Sequence, residues 1–168
     1  MKKTGIFYGS TTGTTEDVAG RIAAALGIDS SDVHSASELS PALIGDYDVL
    51  ILGSSTWGDG ELQDEWYDAL DMLKDADLSG KTVALFGCGD SCSYPDTFCD
   101  AMGIIHDAVC DRCTIVGSVP ADGYSYSSSK AVRDGRFVGL AIDEMNESDR
   151  TDERIAAWTE ELKTILAE

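Results

Sequence analysis

Three short stretches of the chain are apolar at nearly every position: GIFY at 5–8, VLILG at 49–53 and TVALFG at 82–87. Successive side chains of a strand point to opposite faces, so a strand that is apolar on both faces has to be covered on both. That condition confines the chain to a sheet layered between helices, and the intervening segments have the matching pattern. Val18, Ala19, Ile22, Ala23 and Leu26 fall on one face of a helix that Gly27 stops. Helical spacing recurs at about 64–74, 98–111 and 152–166, the last carrying Ile155, Trp158, Leu162, Ile165 and Leu166. Val33–Ser35 reads as a brief second strand and Thr114–Val119 as a fifth. Strands alternating with helices imply right-handed crossovers and an open, doubly wound α/β fold with five parallel strands. No linker, repeat or low-complexity segment interrupts residues 1–168, which are expected to form one domain.

The rhythm breaks once. Residues 120–140 (PADGYSYSSSKAVRDGRFVGL) separate the fifth strand from a further apolar run, Phe137–Ile142. A polar excursion of this length inside a compact domain is either functional or a mobile surface loop.

Composition bears mainly on partners. There are 31 acidic side chains against 12 Lys plus Arg, a formal net charge of −19. Such a surface repels nucleic acid and anionic membranes and attracts basic protein faces, though solubility or adaptation to salt would account for it equally. The opening residues MKKTGIFYGS hold no export signal, and no stretch approaches the ~18 apolar residues of a membrane span. The expectation is a cytoplasmic protein, a monomer, with its five cysteines reduced.

Three loops carry the candidate chemistry. Ser10-Thr11-Thr12-Gly13-Thr14-Thr15 follows the first strand and opens the first helix. Hydroxyls and backbone N–H groups at a helix start form an anion cradle, with Gly13 free to adopt positive φ. The loop has no lysine, so the GxxxxGK[ST] pattern of a triphosphate site is absent and a monophosphate fits better. An ordinary hydroxyl-rich helix cap would look the same. Thr56-Trp57-Gly58-Asp59-Gly60 follows the third strand, and Cys88-Gly89-Asp90, with Tyr94 shortly after, follows the fourth. Each of these loops sets one aromatic among glycines, where it is poorly placed to be core. In the strand order 2-1-3-4-5 all three loops open on the crevice between strands one and three, at their carboxyl ends. A phosphate cradle and two aromatics able to flank a flat ring then share one site.

Those segments carry a resemblance. FYGSTTGTTEDVA, STWGDGELQDEW, FGCGDSCSYPDTFCDA and DGYSYSSSKAVRDGRFVGLAID followed by TDERIAAW resemble the long-chain flavodoxins, whose fifth strand is interrupted by a loop; residues 120–136 match that loop. Flavodoxin with its FMN is itself the standing example of the crevice rule. The resemblance implies a low-potential one-electron carrier rather than an enzyme. Ser10 to Thr15 would hold the FMN phosphate, Trp57 and Tyr94 would flank the isoalloxazine, and Thr56, Gly58, Asp59, Gly60, Cys88, Gly89 and Asp90 would contact the ring edge. It also implies partners that present basic faces, such as a flavodoxin reductase and low-potential oxidoreductases. The match departs at Met145, where relatives commonly carry an acidic residue, and Met145 stays outside the expected site.

The residues suggest how such a flavin would be tuned. Between 59 and 77 stand Asp59, Glu61, Asp64, Glu65, Asp68, Asp71, Asp75 and Asp77 against Lys74 alone. One charge about 12 Å away at an effective dielectric near 40 is worth roughly 0.7 kcal/mol. That is about 30 mV for a one-electron couple, so several such charges oppose adding an electron to the ring. In the family the peptide after the tryptophan flips on reduction, and Gly58 would ease that flip. The rival function is an FMN-dependent NAD(P)H:quinone oxidoreductase of the same fold, against which stands the lack of a second nucleotide site. Cys110-x-x-Cys113 falls at a helix's C-terminal end, where the dipole disfavours a thiolate, so no redox pair or metal site is expected.

Overall fold

The computed structural model describes residues 2–57 and 60–167. The three apolar runs form β1 (Thr4–Gly9), β3 (Val49–Trp57) and β5 (Thr82–Cys88), which lie side by side and parallel. At one edge β2 (Val33–Ser35) pairs with β1. The other edge is the fifth strand in two pieces: β6 (Thr114–Val116) beside Thr82–Ala84, and β10 (Leu140–Ile142) beside Phe86–Cys88. The order β2-β1-β3-β5-β10 is the expected 2-1-3-4-5, with the fifth strand interrupted as the resemblance implies.

Both faces are covered, which is why the runs are continuous rather than alternating. Leu50, Leu52, Val83 and Leu85 pack with Trp66, Leu70 and Leu73 of α3 (Glu65–Asp75) and with Met102, Ile105 and Val109 of α4 (Asp100–Val109). Their neighbours Val49, Ile51, Ala84 and Phe86 face the other way, onto Val18, Ile22 and Leu26 of α1 (Thr14–Leu26) and Ile155, Trp158 and Leu162 of α5 (Glu144–Leu166). Full burial of such side chains contributes roughly 1.5–3 kcal/mol each. Gly27 ends α1 in the left-handed conformation, as expected.

Several boundaries differ from the sequence reading, each for a local reason. The fifth strand stops at Val116 rather than Val119, because Gly117 at φ +85 turns the chain off the sheet and the Trp158 indole N–H donates to its carbonyl at 2.7 Å. α4 starts at Asp100, not 98, since Cys99 is left-handed at φ 55. The last helix begins at Glu144, eight positions before 152, and breaks helical geometry at Glu147 (φ −132, ψ 40). Two small elements carry no apolar periodicity and are additions: α2 (Pro41–Gly45) and β4 (Glu61–Leu62), the latter antiparallel to β3 at Thr56–Trp57.

The polar excursion is anchored. Within it β7 (Val119–Pro120), β9 (Arg136–Phe137) and β8 (Val132–Arg133) form a small antiparallel sheet in that spatial order. Phe98, Tyr124, Tyr126 and Phe137 pack as an aromatic cluster, with Tyr124 and Phe137 rings 4.8 Å apart. The Ser127 and Ser128 N–H groups both donate to Pro95 O. The insertion therefore rests directly on the segment that follows Tyr94.

Candidate functional site

At the carboxyl ends of β1, β3 and β5 a cavity of about 260 Å³ opens, lined by Thr12, Thr14, Ser55, Thr56, Trp57, Cys88, Gly89, Asp90, Tyr94, Glu144 and Met145. Eight of these were expected from sequence. The loop before α1 is shaped from within: Ser10 Oγ accepts the Gly13 N–H at 3.0 Å, and Gly13, at φ +93, is the residue from which the helix starts. Thr15 is fully buried and its Oγ1 has no hydrogen-bond partner. An orphaned hydroxyl in a loop of donors is the mark of a site that expects an acceptor. Thr11 turns elsewhere, its Oγ1 accepting from Gln63 Nε2 at 3.1 Å. Ser10, Thr11, Gly13 and Thr15 thus build the loop without lining the cavity.

Trp57 and Tyr94 are 40% and 46% exposed, unusual for large aromatics in a layered fold. The Trp57 indole N–H donates to Ser55 Oγ at 2.9 Å, fixing the ring at the rim. Tyr94 closes a turn in which its N–H donates to Asp90 O at 2.9 Å. Gly60 packs against Asp100 rather than into the cavity. Gly58 and Asp59 lie outside the described residues.

The floor is held by the junction of β10 and α5. The Gly89 N–H donates to Ile142 O at 3.0 Å, and the fully buried Asp143 caps α5 by accepting the Asn146 N–H at 3.2 Å. Asp143 Oδ2 also accepts from the Ser91 hydroxyl and N–H. Asn146 donates through Nδ2 to Asp90 Oδ1 at 2.8 Å. That bond, with further help from the Ser93 N–H, holds the Asp90 carboxyl below the usual carboxylate range. Burial pushes the Cys88 thiol up to about 12, so it stands beside the cavity uncharged.

Ser55 and Glu144 are lining residues that motif reasoning passed over, and Met145, left outside the expected site, lines the cavity as well. Ser55 precedes the tryptophan inside a segment already singled out. Glu144 and Met145 follow the carboxyl end of the fifth strand, and the crevice rule applied to that strand would have found them. Met145 is 73% exposed at the rim, and one oxygen of Glu144, Oε1, is buried without a hydrogen bond.

A larger cavity of about 650 Å³ lies away from these strand ends, between the insertion and α5, with Arg150 and Arg154 both donating to Gly123 O. It holds none of the expected site residues. Cys110 caps the C-terminal end of α4, and burial raises both its thiol and that of Cys113. Among the described residues no group of three or more His, Cys, Asp or Glu is placed to hold a metal.

The family model described as flavodoxin matches residues 6–158. The chain belongs to the flavodoxin family. Flavodoxin from Nostoc sp. is 46% identical over 164 residues, covering 97% of this chain and 96% of its own length. Flavodoxin 1 of Escherichia coli is 46% identical over 168 residues, covering 99% and 96%. The structure of Fusobacterium nucleatum flavodoxin bound to flavin mononucleotide superposes with a TM-score of 0.89 at 32% identity, over 98% of each chain. The site therefore sits on a fold shared with these relatives over nearly the whole chain. Among the described residues no helix is long and apolar enough to cross a membrane.

Proposed function

We propose that this flavodoxin seats one FMN, without a covalent bond, in the crevice between β1 and β3, and that residues 1–168 act as a single unit in doing so. Flavodoxins are electron-transfer proteins rather than enzymes, and this one passes electrons between other redox proteins; bound FMN supplies the one-electron chemistry. The observation that carries the placement is the convergence, at one set of strand ends, of two half-exposed aromatics and a cation-free donor loop with a buried, unpartnered hydroxyl.

The residues divide the work. Ser10, Thr11, Thr12, Gly13, Thr14 and Thr15 form the phosphate loop, with hydroxyls, helix N–H groups and the positive end of the α1 dipole offsetting the anion. Thr15 Oγ1 is a donor whose acceptor would be a phosphate oxygen. Trp57 and Tyr94 cover the two faces of the ring and exclude water from it. Thr56, Cys88, Gly89 and Asp90, which line the cavity, would meet its edge, Asp90 held by Asn146; Gly58, Asp59 and Gly60 are assigned to the same edge from the sequence alone. Glu144 and Met145 close the rim nearest α5.

The acidic surface selects partners with basic faces, a flavodoxin reductase or low-potential oxidoreductases, and the protein works as a cytoplasmic monomer. An absorbance titration of the purified protein with dithionite tests the reading: one flavin per chain, reduced in two separate one-electron steps. A colourless chain that takes up no added FMN overturns it. Mixing the loaded protein with NADPH alone separates carrier from quinone reductase, since rapid bleaching would mark an enzyme.

A further inference from the structure

Behind the turn that leaves β3 at Trp57 lies a buried carboxyl with no role in the site described above. Asp100, the first residue of α4, is 2% exposed. Its Oδ1 accepts the Lys130 N–H at 2.7 Å. Its Oδ2 presses on Gly60 so closely that a Cβ built there would sit 2.6 Å away. The next residue, Ala101, donates its N–H to Thr56 Oγ1 at 3.1 Å. One helix start therefore grips the chain on both sides of Trp57. Gly60 itself, at φ +94, donates its N–H to Trp57 O at 3.1 Å, and the Asp100 carboxyl leaves no room for a side chain there.

The same carboxyl reaches the insertion. Lys130 belongs to the segment between β7 and β8, and its carbonyl lies flush on α4, where a Cβ on Gly103 would stand. Asp100 is thus the link between the inserted loop on one side and the Trp57–Gly60 turn on the other. An apolar side chain would fill that gap without the desolvation that a buried carboxylate suffers. Burial raises the Asp100 carboxyl, while the N–H and charge of Lys130 pull the other way. Lys130 is the charge facing it from the insertion, and the Cys99 thiol on its own helix start feels its charge in return. β3 offers the Thr56 hydroxyl, and the turn offers the Gly60 backbone.

We propose that Asp100 is a positioning residue: its carboxyl braces the Trp57–Gly60 turn, ties it to the insertion through Lys130, and sets by its charge how readily the pocket accepts a second electron. This rests on FMN occupying the pocket, so the test has two arms. In the flavin-free full-length chain, the backbone amide signals of Gly60 and Lys130 are followed by two-dimensional NMR from about pH 3 to about pH 8. In the wild type both shift together, with a midpoint above the ordinary carboxylate value of about 3.9. In Asp100→Asn neither does. In the FMN-loaded protein at neutral pH, Asp100→Asn raises the equilibrium constant for the second electron roughly threefold, the effect of removing one charge at moderate range. Gly60 and Lys130 amides that do not titrate in the wild type, or that titrate unchanged in Asp100→Asn, overturn the proposal. So does an unaltered equilibrium constant in the loaded variant. The wild-type titration decides the matter even where the variant does not fold. A wild-type chain that binds no FMN would remove the site reading while leaving the amide titration to judge the brace.

Discussion

Asn146 Nδ2 lies 2.8 Å from Asp90 Oδ1, and a neutral amide donor of this kind favours the charged form of its acceptor. A folded value below the unfolded one means that the bond stabilises the protein fully above about pH 4 and that the contribution disappears as pH falls through the lower, folded value. Asn146→Ala is therefore expected to move Asp90 back toward the ordinary carboxylate range, read from its carboxyl carbon by NMR. The difference in unfolding free energy between wild type and variant should be largest near neutrality and shrink below about pH 4. A difference that grows on acidification would show that Asn146 serves the fold by another route. This pairing illustrates what one sequence can and cannot tell. Trp57 and Tyr94 stood out because aromatics among glycines are odd at a strand's end, an argument that needs only local sequence, whereas the Ser10–Thr15 loop, which an ordinary helix cap would match, drew its meaning from sharing their crevice. Glu144, Met145 and Asn146 are ordinary residues at the start of a helix, and what gives them meaning lies across the fold: Asn146 bonds to Asp90, and the other two line the same cavity as Asp90.

The insertion shows the same limit for elements. Its presence was legible, since a polar run splits an apolar strand, but its attachment was not: the aromatic cluster around Phe98 and Phe137 joins residues far apart in the chain. The central strands β1, β3 and β5 could be read because burial on both faces leaves long apolar runs, whereas β4, β7, β8 and β9 are two-residue pairings that no periodicity records. The apolar stripe of α5 predicts a start at 152; the two turns before it, polar except for Met145, are held by the Asp143 cap. At the strand interruption the Trp158 indole N–H donates to Gly117 O in a fully buried setting, beside the exposed bonds from Arg136 to Ser118. Trp158→Phe keeps most of the apolar volume and strands that carbonyl, so the expected loss is roughly 1–3 kcal/mol in chemical denaturation. Hydrogen exchange should rise first at β6 and the insertion while β1 and β3 keep their protection. Uniform loss of protection across the sheet would mean that α5 packing, rather than the bond, is what the substitution removed.

At the scale of the whole molecule the dominant quantity is the net charge of −19. Ion pairs offset little of it. Most of those present, such as Arg21 with Asp17 and Lys163 with Glu160, involve exposed side chains, where pairs are worth 0–1 kcal/mol at best. The remaining carboxylates repel one another, which costs stability, and attract any basic surface, which speeds encounter. Added salt screens both effects over a Debye length that falls from about 30 Å at 0.01 M to about 8 Å at 0.15 M. Two trends of opposite sense should follow from this one cause. The unfolding midpoint of the flavin-free chain rises with sodium chloride, as self-repulsion is screened. The bimolecular rate of electron transfer to a basic reductase falls, on the order of tenfold between about 0.01 M and about 0.5 M. Transfer to a small neutral acceptor supplies the control, because it meets the exposed edges of Trp57 and Tyr94 without long-range attraction and should stay flat with salt. If the reductase rate were equally flat while the midpoint rose, the acidic surface would be serving solubility alone, and docking would rest on the apolar rim formed by Trp57, Tyr94 and Met145.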